Sequence, residues 1–138
     1  MLLTSAACVI FADQLTKMLA ARFLADRRPL RLSSHVHLCY ARNTFGLGGI
    51  PSGRTAPLVL WGAALITLLV ITWDGRLFHH PAARAALGAA LGGAASNLYD
   101  RWRRDAVIDL VKVGWWPVFN LADVGISVGT ITAIWFIR

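Results

Sequence analysis

Glutamate is absent from this chain. All seven acidic residues are aspartates, at positions 13, 26, 74, 100, 105, 109 and 123. Charge of either sign is sparse, since Asp, Lys and Arg together make up 15% of the 138 residues, against roughly 25% in soluble domains. Only two cysteines occur, Cys8 and Cys39. They are too few for a disulfide framework, and their settings, an apolar run and a loop, argue against pairing. His35-Val36-His37 would set two imidazoles on one strand face. With no glutamate, no well-placed cysteine and no evident third ligand, no metal is expected. No serine stands with a nearby histidine and aspartate for nucleophilic catalysis. The glycines at 46, 48, 49 and 53 precede no helix with Lys-Ser/Thr, which excludes a phosphate loop. Linkers, low-complexity stretches and internal repeats are lacking too, so residues 1–138 read as one domain.

What is present is apolar. Hydrophobic residues make up 57% of the chain, and mean hydropathy is +0.56. A membrane span needs roughly 20 mostly apolar residues. Four segments qualify: about 2–24, interrupted by Asp13 and Lys17; about 56–73, uncharged; about 83–100, rich in Gly and Ala; and about 119–137, with Asp123 near its start. Gly88-Ala-Ala-Leu-Gly92 has the small-residue spacing that lets helices approach closely. Two connections are long, 26–55 and 101–118. The alternation from Leu30 to Tyr40 and the run Ala106 to Val111 predict strands there. With four spans, both long connections leave on one side. The expected fold is therefore a membrane all-α bundle of four transmembrane helices, carrying a small extramembrane β-platform. Met1 to Cys8 lacks the basic start and full-length apolar stretch of a leader, so Cys8 is expected to be a packed helix residue.

The net charge of +7 does not point to nucleic acid, because no polar face is left to carry it. Basic residues flanking spans meet phospholipid headgroups instead. Counting them alone puts the long loops in the cytoplasm, since Arg27, Arg28, Arg31, Arg42, Arg54, Arg101, Arg103, Arg104 and Lys112 lie on that side, against Arg76, Arg84 and Arg138 on the other. His79 and His80 fall in the short loop and are expected to be solvated.

Charge in an apolar span demands a reason. Asp13 and Lys17 are four residues apart, share a helix face and can pair; such a pair either locks the first helix against the bundle or touches substrate. Asn97 and Asp100 share a face near the end of the third span, with Arg101 beside them offering a planar fork. Asn120 reads as an N-cap, with Asp123 in the first turn behind it. Capping does not explain Asp109, which sits in an apolar strand-like run. If Asp109 and Asp123 meet, they form a carboxylate pair that keeps one proton, able to activate water and protonate a leaving amine. Their spacing permits the meeting without requiring it.

Taken together, four motifs in order resemble the lipoprotein signal peptidase (signal peptidase II) family across nearly the whole chain: Asp13-Gln-Leu-Thr-Lys17, Gly92-Gly-Ala-Ala-Ser-Asn97-Leu-Tyr-Asp100-Arg101, Val107-Ile-Asp109-Leu and Phe119-Asn120-Leu-Ala-Asp123. The resemblance implies an intramembrane aspartyl protease of the bacterial cytoplasmic (inner) membrane. It would cleave diacylglyceryl-modified prolipoproteins before the lipidated cysteine, with no cofactor and as a monomer. By match, Asp109 and Asp123 would be catalytic. Asn97, Arg101, Asn120 and Asn43 would contact substrate, and Asp13, Lys17 and Asp100 would support the site. The long first loop would be the family's β-cradle. The family also sets both termini in the cytoplasm and the active site near the outer leaflet, opposite to the arginine count. One departure is that Asn43-Thr44-Phe45-Gly46 is shortened relative to the family's Asn-x-Gly-x-x-Phe segment, and the loop between the two aspartates is brief; both imply a divergent member with a narrower or different substrate. The alternatives are a dyad protease acting on another membrane-anchored peptide, and a non-catalytic homologue or membrane carrier.

Overall fold

The computed structural model describes residues 1–44, 62, 63, 65–67, 70 and 78–136. The described residues form four helices and one three-stranded sheet. Helix α1 spans Leu2–Phe23, strand β1 Leu30–Arg31 and strand β2 Val36–Asn43. Helix α2 is described at residues 62, 63, 65–67 and 70. Helix α3 spans Pro81–Arg104, strand β3 Val107–Val113 and helix α4 Leu121–Trp135. The rest of the second expected span, and the loop segment 45–55, lie outside the described residues. Among the described residues, α1 is the one helix long and apolar enough to cross a membrane, and α4 is a shorter apolar helix of 15 residues.

Polarity runs inside out. Of the six largest fully buried side chains among the described residues, five are polar (Lys17, Asn120, Asp13, Asp100 and Ser96) and only Ile108 is apolar. Large apolar side chains face outward instead, including Leu3, Phe11 and Met18 on α1 and Val128, Ile131 and Trp135 on α4. Such a surface is unfavourable in water and suits hydrocarbon. Cys8 joins this outer face; it is exposed, not packed as expected.

Helix α3 packs between α1 and α4, and its glycines explain how closely. A Cβ on Gly92 would lie 2.5 Å from the Ala6 carbonyl oxygen of α1. One on Gly88 would collide with the Leu2 backbone, and one on Gly93 with the Ala122 carbonyl of α4. Backbone cannot yield as a side-chain tip can. Gly92→Ala is therefore expected to destabilise by about 1–3 kcal/mol through overpacking. Gly62→Ala, with open space around its Cβ, is expected to be neutral or slightly stabilising. Thermal unfolding in detergent checks both.

The third helix is longer than hydropathy implies. It begins at Pro81 and not near 83, because His80 caps it: the imidazole accepts from Ala82 N at 3.2 Å, and the ring stacks on Phe136 at 4.5 Å. His80 is thus a structural cap as well as an exposed residue; His79 is exposed, as expected. The helix continues past 100 to Arg104, so the first residues of the expected second cradle segment are helical. Arginine favours helix as well as most residues do, and three arginines complement the negative end of the helix dipole. Hydropathy marks where an apolar layer would end, not where the helix does. Asp105, with φ 56°, closes the helix in the left-handed region.

The sheet is antiparallel in the order β1-β2-β3. Between Leu38 and Ala41 the register shifts: three steps along β2 oppose two along β3, from Val111 to Asp109. This one-residue bulge brings Asn43 opposite Val107 and onto the face that carries Asp109. The other face packs Tyr40, Ile108 and Leu110 against Ala20 and Leu24 of the first helix and its end. Cys39 lies in β2, half-buried, within the run from Leu30 to Tyr40 expected to form strands.

Candidate active site

Asp109 and Asp123 come to line one cavity because the chain doubles back after β3. Gly114, with φ +50°, begins the reversal. The N–H groups of Leu110 and Val111 both donate to the Phe119 carbonyl, each at 2.9 Å, and Phe119 N–H returns a bond to Val111 O at 3.0 Å. The next residue, Asn120, is thereby held beside Asp109. Its amide donates to Asp109 Oδ1 at 2.9 Å, to the Ile108 carbonyl at 3.2 Å and to Asn97 Oδ1 at 3.2 Å.

Asn120 is also the N-cap of α4. Its Oδ1 accepts from Asp123 N at 2.9 Å, while Asp123 Oδ2 accepts from Asn120 N at 3.1 Å, a reciprocal capping box. The capping reading of Asp123 therefore holds, but it uses only one carboxylate oxygen. The other, Oδ1, accepts from Asn97 Nδ2 at 2.8 Å. Asp109 Oδ2 accepts from Asn43 Nδ2 at 3.2 Å. Both aspartates line one cavity of about 120 Å³, together with Asn43, Asn97, Arg101, Val107 and Val118. Despite the shortened segment that follows it, Asn43 reaches the pair.

The Asp109 carboxyl is pushed up from 3.8 to about 6. Burial is the main cause, and the neighbouring Asp123 charge adds to it; hydrogen bonds from Asn43 and Asn120 and the charge of Lys17 oppose the rise. This carboxyl therefore holds its proton to a higher pH than an exposed aspartate does.

Below the pair lies a buried ionic layer. Lys17 Nζ contacts Asp13 Oδ2 at 2.6 Å, Asp100 Oδ2 at 2.7 Å and Asn97 Oδ1 at 3.0 Å. Asp13 also accepts from Ser96 Oγ at 2.7 Å and from Ala122 N at 2.8 Å. Asp100 accepts from Gln14 Nε2 at 3.0 Å, pairs with Arg104 and receives Ile108 N at 3.4 Å. One lysine thus ties α1 to α3, and through Asn97 to the aspartate of α4. Gln14, Ser96 and Arg104 belong to this network and were not among the expected residues. The first two are polar groups adjoining Asp13 and Asn97 in otherwise apolar runs, which was a readable sign of burial.

Two further cavities border this region. One of about 470 Å³ is lined by apolar side chains of α1, β2, β3 and α4, including Leu19, Phe23, Leu38, Leu110 and Val124, and it reaches Asn120. The other, about 540 Å³, lies along the sheet at His35, His37, Cys39 and Lys112, and shares Val118 with the aspartate cavity. Among the described residues no group of three or more His, Cys, Asp or Glu has metal-ligand geometry.

An apolar-skinned helix bundle with a polar interior defines a membrane-type protein, and its two aspartates line one cavity. The chain belongs to the signal peptidase (SPase) II family, whose model it matches over residues 5–138. It is 37% identical to a lipoprotein signal peptidase of Mycolicibacterium smegmatis over 97% of its own length and 59% of that protein's. It is 35% identical to one from Mycobacterium avium, covering 76% of that protein, and 37% identical to one from Rhodococcus jostii, covering 70%. The chain thus spans between about three-fifths and three-quarters of these relatives. Among solved structures, it superposes on a bacterial membrane enzyme determined in meso at 2.3 Å resolution with a TM-score of 0.85, at 25% identity, covering 96% of this chain and 84% of that one.

Proposed function

We propose that this chain is an intramembrane aspartyl endopeptidase that removes the signal peptide from diacylglyceryl-modified prolipoproteins, cutting before the lipidated cysteine. The observation that carries this reading is the convergence of Asp109 and Asp123 on one cavity. Burial favours the protonated form of Asp109. Asp123 sits at the positive end of the α4 dipole, where a carboxylate is favoured. In this scheme Asp123 takes a proton from the attacking water while Asp109 donates one to the scissile carbonyl, giving a gem-diol; as the C–N bond breaks, the proton on Asp123 passes to the leaving amine and a diol hydroxyl returns one to Asp109. Asn97, Asn120 and Asn43 orient the two carboxylates, and Arg101 on the cavity wall contacts the substrate backbone. Asp13, Lys17 and Asp100 position Asn97 and the N-terminus of α4. The apolar cavity next to Asn120 shelters the substrate's lipid chains.

In the same reading, all four helices span the bacterial inner membrane and the sheet lies outside it near the outer leaflet, touching phospholipid. The protein works as a monomer and without a cofactor. The brief segment after Asn43 goes with a restricted set of precursors.

The test is incubation of the detergent-purified protein with paired precursors, one carrying diacylglycerol on its cysteine and one not. Release of signal peptide from the lipidated form alone is expected; equal cleavage of both assigns the pair to another membrane-anchored peptide, and cleavage of neither makes the protein non-catalytic. The pH dependence follows from Asp109. Because the acid must be protonated in the free enzyme, kcat/KM is expected to fall about tenfold per pH unit above a point near 6. A profile flat from pH 5 to about 8 removes Asp109 from the acid role.

A further inference from the structure

Next to the aspartate cavity, across Val118, the sheet carries basic groups with no part in the chemistry above. His37 and Cys39 alternate along β2 and so share a face, and His35 stands in the bend just before the strand. Lys112 of β3 stands directly opposite His37 in the register, with its side chain on the same face. Lys112 is exposed and His37 half-buried. Together they line the 540 Å³ cavity, which shares Val118 with the aspartate cavity. Among the described residues Lys112 has no carboxylate partner; Cys39, beside it, feels its charge and that of Asp109.

We propose that this cavity is the subsite for the polypeptide that follows the cut bond, and that Lys112 with His37 selects acidic side chains there. The inference rests on the peptidase reading. The assignment of sides follows from chemistry: the signal peptide is apolar and stays with the helices, whereas the product's polar chain must leave along the extramembrane sheet. A cavity with a lysine and two imidazoles and no paired acid attracts a carboxylate and repels a basic side chain.

The experiment compares two diacylglyceryl-modified precursors that differ only at the second and third residues after the cysteine, Asp-Asp in one and Lys-Lys in the other. The readout is the ratio of kcat/KM within each enzyme, which cancels any change in folded fraction. The wild type is expected to favour the acidic precursor about fivefold, a size typical of one partly exposed charge contact. His37→Gln is expected to narrow the ratio and Lys112→Glu to invert it. A ratio near one in the wild type, or one that Lys112→Glu leaves unchanged, overturns the assignment. Cleavage of neither precursor by the wild type overturns the peptidase reading and this subsite with it.

Discussion

Asp109→Asn and Asp123→Asn are each expected to abolish cleavage of a lipidated precursor, lowering kcat/KM by on the order of 10²–10⁴-fold, the range that positioned proton transfer supplies. Asparagine keeps the shape of aspartate but cannot exchange a proton. Neither change should unfold the protein. At position 123 the amide oxygen keeps one of the two bonds the carboxylate accepts, from Asn97 Nδ2 or from Asn120 N, a loss of about 1 kcal/mol. At position 109 the substitution removes a carboxyl that burial already disfavours in its charged form. Unfolding temperature in detergent should therefore change little, and activity almost completely. Retained cleavage in either variant would remove that aspartate from the chemistry.

Lys17→Met is expected to have the largest effect on stability, a loss of about 3–5 kcal/mol, because removing one partner of a buried ion pair leaves the other uncompensated. Here two carboxylates are stranded, Asp13 and Asp100, both fully buried. Asp100 retains Arg104, and Asp13 retains Ser96 and Ala122 N. The damage should thus fall more heavily on Asp13, and Lys17→Met with Asp13→Asn is expected to be less destabilised than the two single effects added together. The loss should also reach activity, since Lys17 Nζ bonds the Asn97 oxygen while the Asn97 amide holds Asp123. Chemical denaturation in mixed micelles, read alongside kcat, tests both parts; an unchanged midpoint in Lys17→Met would contradict the ionic layer's role.

Much of this was legible in the sequence, and the reasons differ by residue. Asp13 and Lys17 announce their pairing because a four-residue spacing on a helix is a local distance. Asn120 and Asp123 announce a cap for the same reason. Lys17 also reaches Asp100 and Asn97, and no local spacing encodes that; it follows from glycines on α3 that bring two helices within backbone contact. Asp109 was suspicious only as a charge in an apolar strand. Its place with Asp123 on one cavity depends on two successive N–H groups sharing the Phe119 carbonyl, a tertiary detail without a composition signature. Hydropathy places the end of α3 too early because arginines end the apolar run without ending the helix. Cys8 is exposed where packing is expected because an apolar neighbourhood predicts burial in water, whereas this fold turns apolar residues outward.

The most direct measurement is the mass of the peptide released when the purified chain meets a diacylglyceryl-modified precursor. A single product ending at the residue before the lipidated cysteine, absent with Asp109→Asn, is expected. No release by the well-folded wild type, or release undiminished in Asp109→Asn, would contradict the assignment of the aspartate pair as a peptidase site.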